Sequence, residues 1–384
     1  MSGEGRDVSE SSSFQDATPI DFGLDFYRGR RVLITGHTGF KGSWLSKILV
    51  DLGAEVIGYS LEPPTDPSLF ALLGLNRRMA SVVGDTRDLA HLKETFSRTN
   101  PEVVLHLAAQ PLVRASYDEP VYTYETNVMG TVNALECTRL TPSVVSFLNV
   151  TTDKVYKNYE WERGYVEDDF LDGYDPYSNS KSCSELVTHS YAQSFFGDGR
   201  CRVSTARAGN VIGGGDFAVD RIIPDCVRAI QAGRPIAIRN PYSTRPYEHV
   251  LEPLFAYLMI AARQVDDASL SGWYNVGPDD CDAVNTGQLV QKMCEIWNAG
   301  CNDAAAWDGR PLSRLSWENK SDAGPHEAGY LKLDCAKLKH TFAWHPRWHI
   351  DDALAKTAEW TRVWLTGGDI DACMSAQVDA YLGR

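Results

Sequence analysis

The sequence predicts an α/β protein: a doubly wound parallel sheet followed by a smaller C-terminal lobe. Three observations carry that expectation. Short Val-, Ile- and Leu-rich runs without polar alternation recur along the first half, as strands buried on both faces require. Helix-length stretches with apolar residues three and four apart separate them. A glycine-rich turn stands at the first run-to-helix junction, where such a sheet opens. In chain order, residues 32–35 are expected as the first strand and 43–52 as its helix. Further strands follow at 56–59, 82–83, 103–107 and 147–150, with another helix at 90–99. After about residue 208 the rhythm changes to Gly-, Pro- and Arg-rich loops. There 273–277 reads as a strand and 351–365 as an amphipathic helix. Residues 1–24 are expected to be a disordered extension, with five serines in the first 13 positions. That leaves 25–208 as a first unit and 209–384 as a second, with some segments returning to the first.

The 384 residues carry 37 Lys plus Arg against 51 Asp plus Glu, a formal net charge of −14. This balance argues against a surface for nucleic acid or an anionic membrane, since both reward clustered cations. The longest unbroken apolar run, 254–262, has nine residues, about half a bilayer span. Residues 1–22 lack the apolar core of a signal peptide. Nine cysteines without a C-x-x-C pair fit reduced thiols in a cytoplasmic chain. No metal site is expected, because His340, His345 and His349 have no cysteine companions in sequence.

The turn reads Gly36-His-Thr38-Gly39-Phe40-Lys41-Gly42. Its glycines allow close approach of backbone to a pyrophosphate, and the following helix N-terminus offers unpaired N–H groups and a positive dipole. The G-x-x-G-x-x-G spacing resembles the extended short-chain dehydrogenase/reductase superfamily. That resemblance implies a Rossmann-type sheet and bound NAD, lined by Gly36, Thr38, Gly39, Phe40, Lys41 and Gly42. Ser60 stands where an acidic residue normally holds the adenosine ribose, so the usual acid does not separate NAD from NADP. Asp85 and Thr86 resemble the adenine-contacting loop, and Leu107, Ala108, Ala109 and Gln110 the cofactor-lining turn. Asn127 fits a family helix near the active site, with plain helix packing as the alternative.

Tyr177 and Lys181 stand at i and i+4 after Asp175-Pro176, so they share one helix face. An ammonium beside a phenol favours the phenolate, which is expected to lower the Tyr177 pKa and make it a base. Thr152, Asp153 and Lys154 follow the fifth predicted strand at its carboxyl end, where open α/β sheets bind ligands. A hydroxyl there suffices to hold a substrate alcohol. The adjacent Asp-Lys pair is more than alcohol oxidation requires and reads as a second acid/base couple; a solvated loop pair is the plain alternative.

Residues 35–43 (TGHTGFKGS), 107–113 (LAAQPLV), 175–181 (DPYSNSK), 206–217 (ARAGNVIGGGDF) and 245–253 (RPYEHVLEP) resemble the CDP-glucose 4,6-dehydratases, with Asp-Lys at 153–154. The similarity spans about residues 25–365. It implies a hydro-lyase acting on a nucleotide-diphosphate hexose. Tyr177, aided by Lys181 and Thr152, takes the 4-hydroxyl proton while hydride leaves C4 for NAD. Lys154, as a neutral amine, takes the C5 proton, protonated Asp153 donates to the departing 6-hydroxyl, and hydride returns to C6. Tyr177 and Lys181 also contact the cofactor in this pattern. A 4-epimerase would need only Thr152, Tyr177 and Lys181. An inactive NAD-binding regulator should have lost some of these three; all are present. Family analogy also implies a homo-oligomer.

A diphosphate needs cations. Residues 200–250 hold eight arginines, no lysine and four acids, 8 − 4 = +4 inside a chain of −14. The planar guanidinium suits phosphate oxygens. The expected substrate contacts are Arg114, Arg207, Asn210, Arg221, Arg239, Arg245, Tyr247 and His249. Tyr247-Glu248 replaces the Trp-Gln of the pattern Arg-Pro-Trp-Gln-His-Val, and Glu248 is expected close to the diphosphate-binding Arg245.

Overall fold

The computed structural model describes residues 20–301, 309–320 and 331–384. The first six strands are β1 (Arg31–Thr35), β2 (Glu55–Ser60), β3 (Ala80–Val83), β4 (Val103–His106), β5 (Ser146–Thr152) and β6 (Arg202–Ala208). The rest are β7 (Asn210–Ile212), β8 (Ile236–Ile238), β9 (Thr244–His249), β10 (Trp273–Val276), β11 (Ala283–Asn285) and β12 (Trp317–Asn319). Seven of them form one parallel sheet in the order β10-β6-β5-β4-β1-β2-β3. Strand order reverses between β1 and β4, and the crevice outside their carboxyl ends is the place for a ligand. β11-β9-β7 and β12-β8 make two small sheets beside it.

The Val/Ile/Leu runs do form the inner strands, because burial on both faces leaves no room for polar alternation: Val32, Leu33, Ile34, Val103, Val104, Phe147 and Leu148 are all buried. Residues 254–262 form no membrane span. They lie in the helix Leu251–Asp266, fully or almost fully buried and packed against β5 and β6. Ser146 Oγ donates to the carbonyl of Ala261 at 2.7 Å, which ties helix to sheet. No described helix is long and apolar enough to cross a membrane.

One expectation about chain organisation changes. Residues 1–19 lie outside the described residues, but 20–24 do not behave as an extension: Phe22 is buried against Phe255, ring centroids 5.2 Å apart. The second half also returns to the first extensively. β10 completes the main sheet, Trp44 of the first half donates its indole N–H to the Gly214 carbonyl at 2.9 Å, and Trp360 of the helix Ile350–Leu365 packs on the same Gly214. His349 gathers with Asp282 and Cys281, not with His340 and His345. Asp282 Oδ2 meets His349 Nδ1 at 2.9 Å while Oδ1 accepts from the N–H of Ile350, closing the start of that helix.

Candidate active site

The cleft at the switch point has a volume of about 1760 Å³. Its floor begins at the glycine turn. Gly36 has φ +78°, and a Cβ there would meet the backbone N of Ala108 at 2.8 Å, so only glycine lets this turn lie against the turn after β4. The helix Phe40–Asp51 starts at Gly39 with no side-chain cap, leaving its first N–H groups for an anion. Thr38 Oγ1 donates to the Leu61 carbonyl at 3.0 Å and pairs with Ser60 Oγ at 2.9 Å. Asp85, bridged to Arg87 at 2.7 Å, Thr86, and Leu107 through Gln110 complete this wall. The Arg87 hydrogen bond holds the Asp85 carboxyl below its usual range.

Asn127 lies behind the wall, not in the cleft. Its Oδ1 accepts from the N–H of Gln110 at 2.8 Å, and its Nδ2 donates to the Gln110 carbonyl and to Ser180 Oγ. It joins the lining turn to the helix Pro176–Phe195 and contacts no ligand space.

That helix begins with Asp175 accepting from the N–H of Ser178, followed by Pro176, and it presents Tyr177 and Lys181 to the cleft. Lys181 Nζ donates to the Val150 carbonyl at 3.0 Å. Burial, then the charge of Lys41, pushes its pKa down to about 8. Tyr177 departs from the sequence expectation: burial pushes its pKa up to about 12, against a hydrogen bond with Thr152 that lowers it. Lys181 is spent on a backbone carbonyl, so the protein by itself leaves the phenol protonated near neutral pH.

At the end of β5, Thr152 Oγ1 donates to Asp153 Oδ1 at 2.9 Å, and Lys154 Nζ reaches the same oxygen at 3.1 Å. Thr152 and Lys154 line the cleft. Asp153 is 0% exposed, so it reaches the cleft only through these two partners. Tyr177, Thr152, Asp153 and Lys154 therefore form one hydrogen-bonded chain.

On the opposite wall, Arg114, Asn210, Arg221, Arg239, Arg245 and Tyr247 line the cleft. Arg221 bridges Asp216 at 3.1 Å and Arg239 bridges Asp220 at 3.2 Å. Two expected contacts are elsewhere. Arg207 is fully buried, donating to Tyr156 Oη at 2.7 Å, the Glu167 carbonyl at 2.8 Å and Glu185 at 3.0 Å. His249 is buried between Trp44 and Trp348, which pushes its pKa down to about 3. Neither touches the cleft, because each is needed to fill the interior beneath it. Glu248 likewise faces away from the cleft that Arg245 and Tyr247 line, since strand neighbours alternate. Sequence reading missed the rim residues Tyr159, Tyr174 and Tyr242, which line the cleft from loops; only their aromatic character beside charged motifs marked them.

A Tyr/Lys pair facing a glycine-rich dinucleotide turn, at a parallel-sheet switch point, is the arrangement of a short-chain dehydrogenase/reductase. A family model described as GDP-mannose 4,6 dehydratase matches residues 33–357, and the chain belongs to that family of nucleotide-sugar dehydratases. It is 45% identical to the CDP-glucose 4,6-dehydratase of Salmonella typhimurium, over 93% of this chain and 98% of that protein. Among solved structures it is similar to MoeE5 in complex with UDP-glucose and NAD, with TM-score 0.70 and 25% identity over 87% of this chain and 99% of that one. UDP-glucose 4-epimerase of Thermotoga maritima shares the fold at TM-score 0.72 and 22% identity, over 87% of this chain and 99% of that one.

Proposed function

We propose that the chain is an NAD-dependent nucleotide-sugar 4,6-dehydratase that converts CDP-glucose to CDP-4-keto-6-deoxyglucose. The observation that carries this reading is the hydrogen-bonded chain Tyr177–Thr152–Asp153–Lys154, which joins an alcohol-oxidising pair to a further acid and amine. The 45% identity supports the choice of CDP-glucose. The residues fit NAD: the uncapped helix start suits a diphosphate, and the close approach at Gly36 shapes the floor. Gly36, Thr38, Gly39, Phe40, Lys41, Gly42, Ser60, Asp85, Thr86 and residues 107–110 would hold it.

When bound, NAD would supply a hydride acceptor that later returns the hydride. Tyr177 Oη takes the proton of the sugar 4-hydroxyl, with Thr152 holding that oxygen. Lys154 Nζ takes the C5 proton, acidified by the new 4-ketone, and later gives it back. Asp153 supplies the proton with which the 6-hydroxyl leaves as water, passed on through Thr152 or Lys154, which line the cleft. Arg114, Arg221, Arg239 and Arg245, with Asn210 and Tyr247, orient the nucleotide diphosphate. Residues 25–208 are then mainly the cofactor unit and 209–384 mainly the substrate lobe. Exposed Val121, Met129 and Leu186 suit a homo-oligomer, which sedimentation would reveal, and a cytoplasmic location accords with nine free cysteines. The decisive test offers CDP-, dTDP-, GDP- and UDP-hexoses and weighs the product. Loss of one water without net NAD reduction is expected; stoichiometric NADH would sink the reading.

A further inference from the structure

Three of the four arginines proposed to orient the diphosphate are held by carboxylates of one short segment, residues 216–221. Asp220 Oδ1 accepts from Arg239 Nη2 at 3.2 Å and lies 3.8 Å from Arg114 Nη1. Asp216 Oδ2 meets Arg221 Nη1 at 3.1 Å, while its Oδ1 accepts from the N–H of Ala218 at 3.0 Å. All five of these charged residues line the cleft.

Asp220 makes the longer connection. Arg114 belongs to the helix Val113–Asp118, soon after the lining turn 107–110, whereas Arg239 directly follows β8. One carboxylate oxygen therefore ties the first half of the chain to the second. The backbone is committed to this placement: Asp220 has φ +57°, a left-handed conformation that Asp and Asn enter more readily than other side chains. The ion pairs themselves are loosely held. The side chains of Arg114, Asp220 and Arg239 are 36%, 43% and 43% exposed, and pairs so open to water are weak. A diphosphate carries more charge than one carboxylate and offers several oxygens to the guanidinium forks.

We propose that Asp220 is a displaceable strap: it holds Arg114 and Arg239 together until the substrate's diphosphate takes its place on both. This deepens the nucleotide-sugar reading and rests on it. Before substrate arrives, the shared carboxylate offsets the repulsion between two neighbouring guanidinium groups. It also sets a threshold for entry. A ligand that brings no anion to Arg114 and Arg239 leaves the strap in place, whereas a diphosphate replaces it. Part of the binding energy goes into releasing Asp220, so the affinity for nucleotide is lower than the arginines alone would give.

The test titrates CDP, with NAD present, into the whole protein as wild type, Asp220→Asn and Asp225→Asn. Asparagine tolerates the left-handed backbone at 220, so charge is removed while the turn is kept. Asp225 is the control for charge alone: it lines the cleft from the helix Ile222–Ala232 and pairs with Arg228. Asp220→Asn should lower the Kd for CDP about fivefold, the scale of two exposed ion pairs. Asp225→Asn should change it less than about twofold, since only a screened charge is lost. An unchanged Kd in Asp220→Asn, or equal shifts in the two variants, overturns the proposal. Hydrogen exchange without nucleotide is the second arm: residues 216–221 should exchange faster in Asp220→Asn than in wild type, and equal rates overturn the strap. A wild-type chain that binds no CDP defeats the nucleotide reading instead, and the exchange arm still decides the strap.

Discussion

Glu185 and Glu248 are both closed off from solvent, yet the protein treats them in opposite ways. Burial alone would raise Glu185. The charge of Arg207, with hydrogen bonds from Arg207 and Thr151 and the His189 ring 3.3 Å away, more than reverses that and leaves its pKa at about 2. Glu248 meets burial without a donor, and its carboxyl moves the other way. The difference teaches where the molecule keeps its order and where it keeps its chemistry. Around Glu185 the partners come from β5, β6 and the helix Pro176–Phe195, and they lock the frame. On Glu248 and Asp153, by contrast, three carboxylate oxygens stay without a hydrogen-bond partner.

Breaking the satisfied side should cost most. Arg207→Leu leaves Glu185 charged and unpaired, and chemical denaturation should show a loss of about 3–5 kcal/mol. Tyr177→Phe removes the proposed first base while keeping the ring. It should reduce kcat by about 10²–10⁴-fold with the melting temperature almost unchanged, which separates chemistry from frame. Glu185→Gln keeps the shape but loses charge-assisted bonds, a loss of about 2 kcal/mol in the same denaturation assay. The smallest effect is expected of Glu248→Gln, a gain of about 1 kcal/mol at pH 8; a loss as large as that of Arg207→Leu would abolish the contrast.

The two carboxyls also predict opposite pH dependences of stability. Glu185 is depressed below its ordinary 4.5, so its contribution is present above that value and is lost as pH falls toward about 2. Glu248 is raised, and burial pushes Glu252 up to about 7. Folded protein keeps these protons where the unfolded chain has lost them, so stability falls as pH rises from about 4.5 through 7. Melting temperatures between pH 5 and 8 should decline less steeply in Glu248→Gln than in wild type. Parallel slopes would assign the decline to Glu252 alone.

Much of the frame was legible from local pattern. The inner strands announced themselves as apolar runs, and the glycine turn and the Tyr177–Lys181 pair by spacing, since both depend on neighbours within a few residues. Arg207 and His249 could not be placed that way. Each sits in a motif that reads as ligand-binding, yet one is held by Glu185, 22 residues away, and the other by Trp44 and Trp348. Burial of a polar side chain depends on partners that sequence distance hides.

By itself the sequence determined the parallel sheet, the glycine-rich turn and the residue types of the candidate site, because periodicity, glycine freedom and side-chain chemistry are local properties. Only the tertiary structure decided how the charges are used. It turned Arg207 inward and Arg245 toward the cleft, closed Asp153 behind Thr152 and Lys154, and left Glu248 without a donor. The energy of a buried charge is set by what surrounds it in three dimensions, and those surroundings come from strands and helices far apart in the chain.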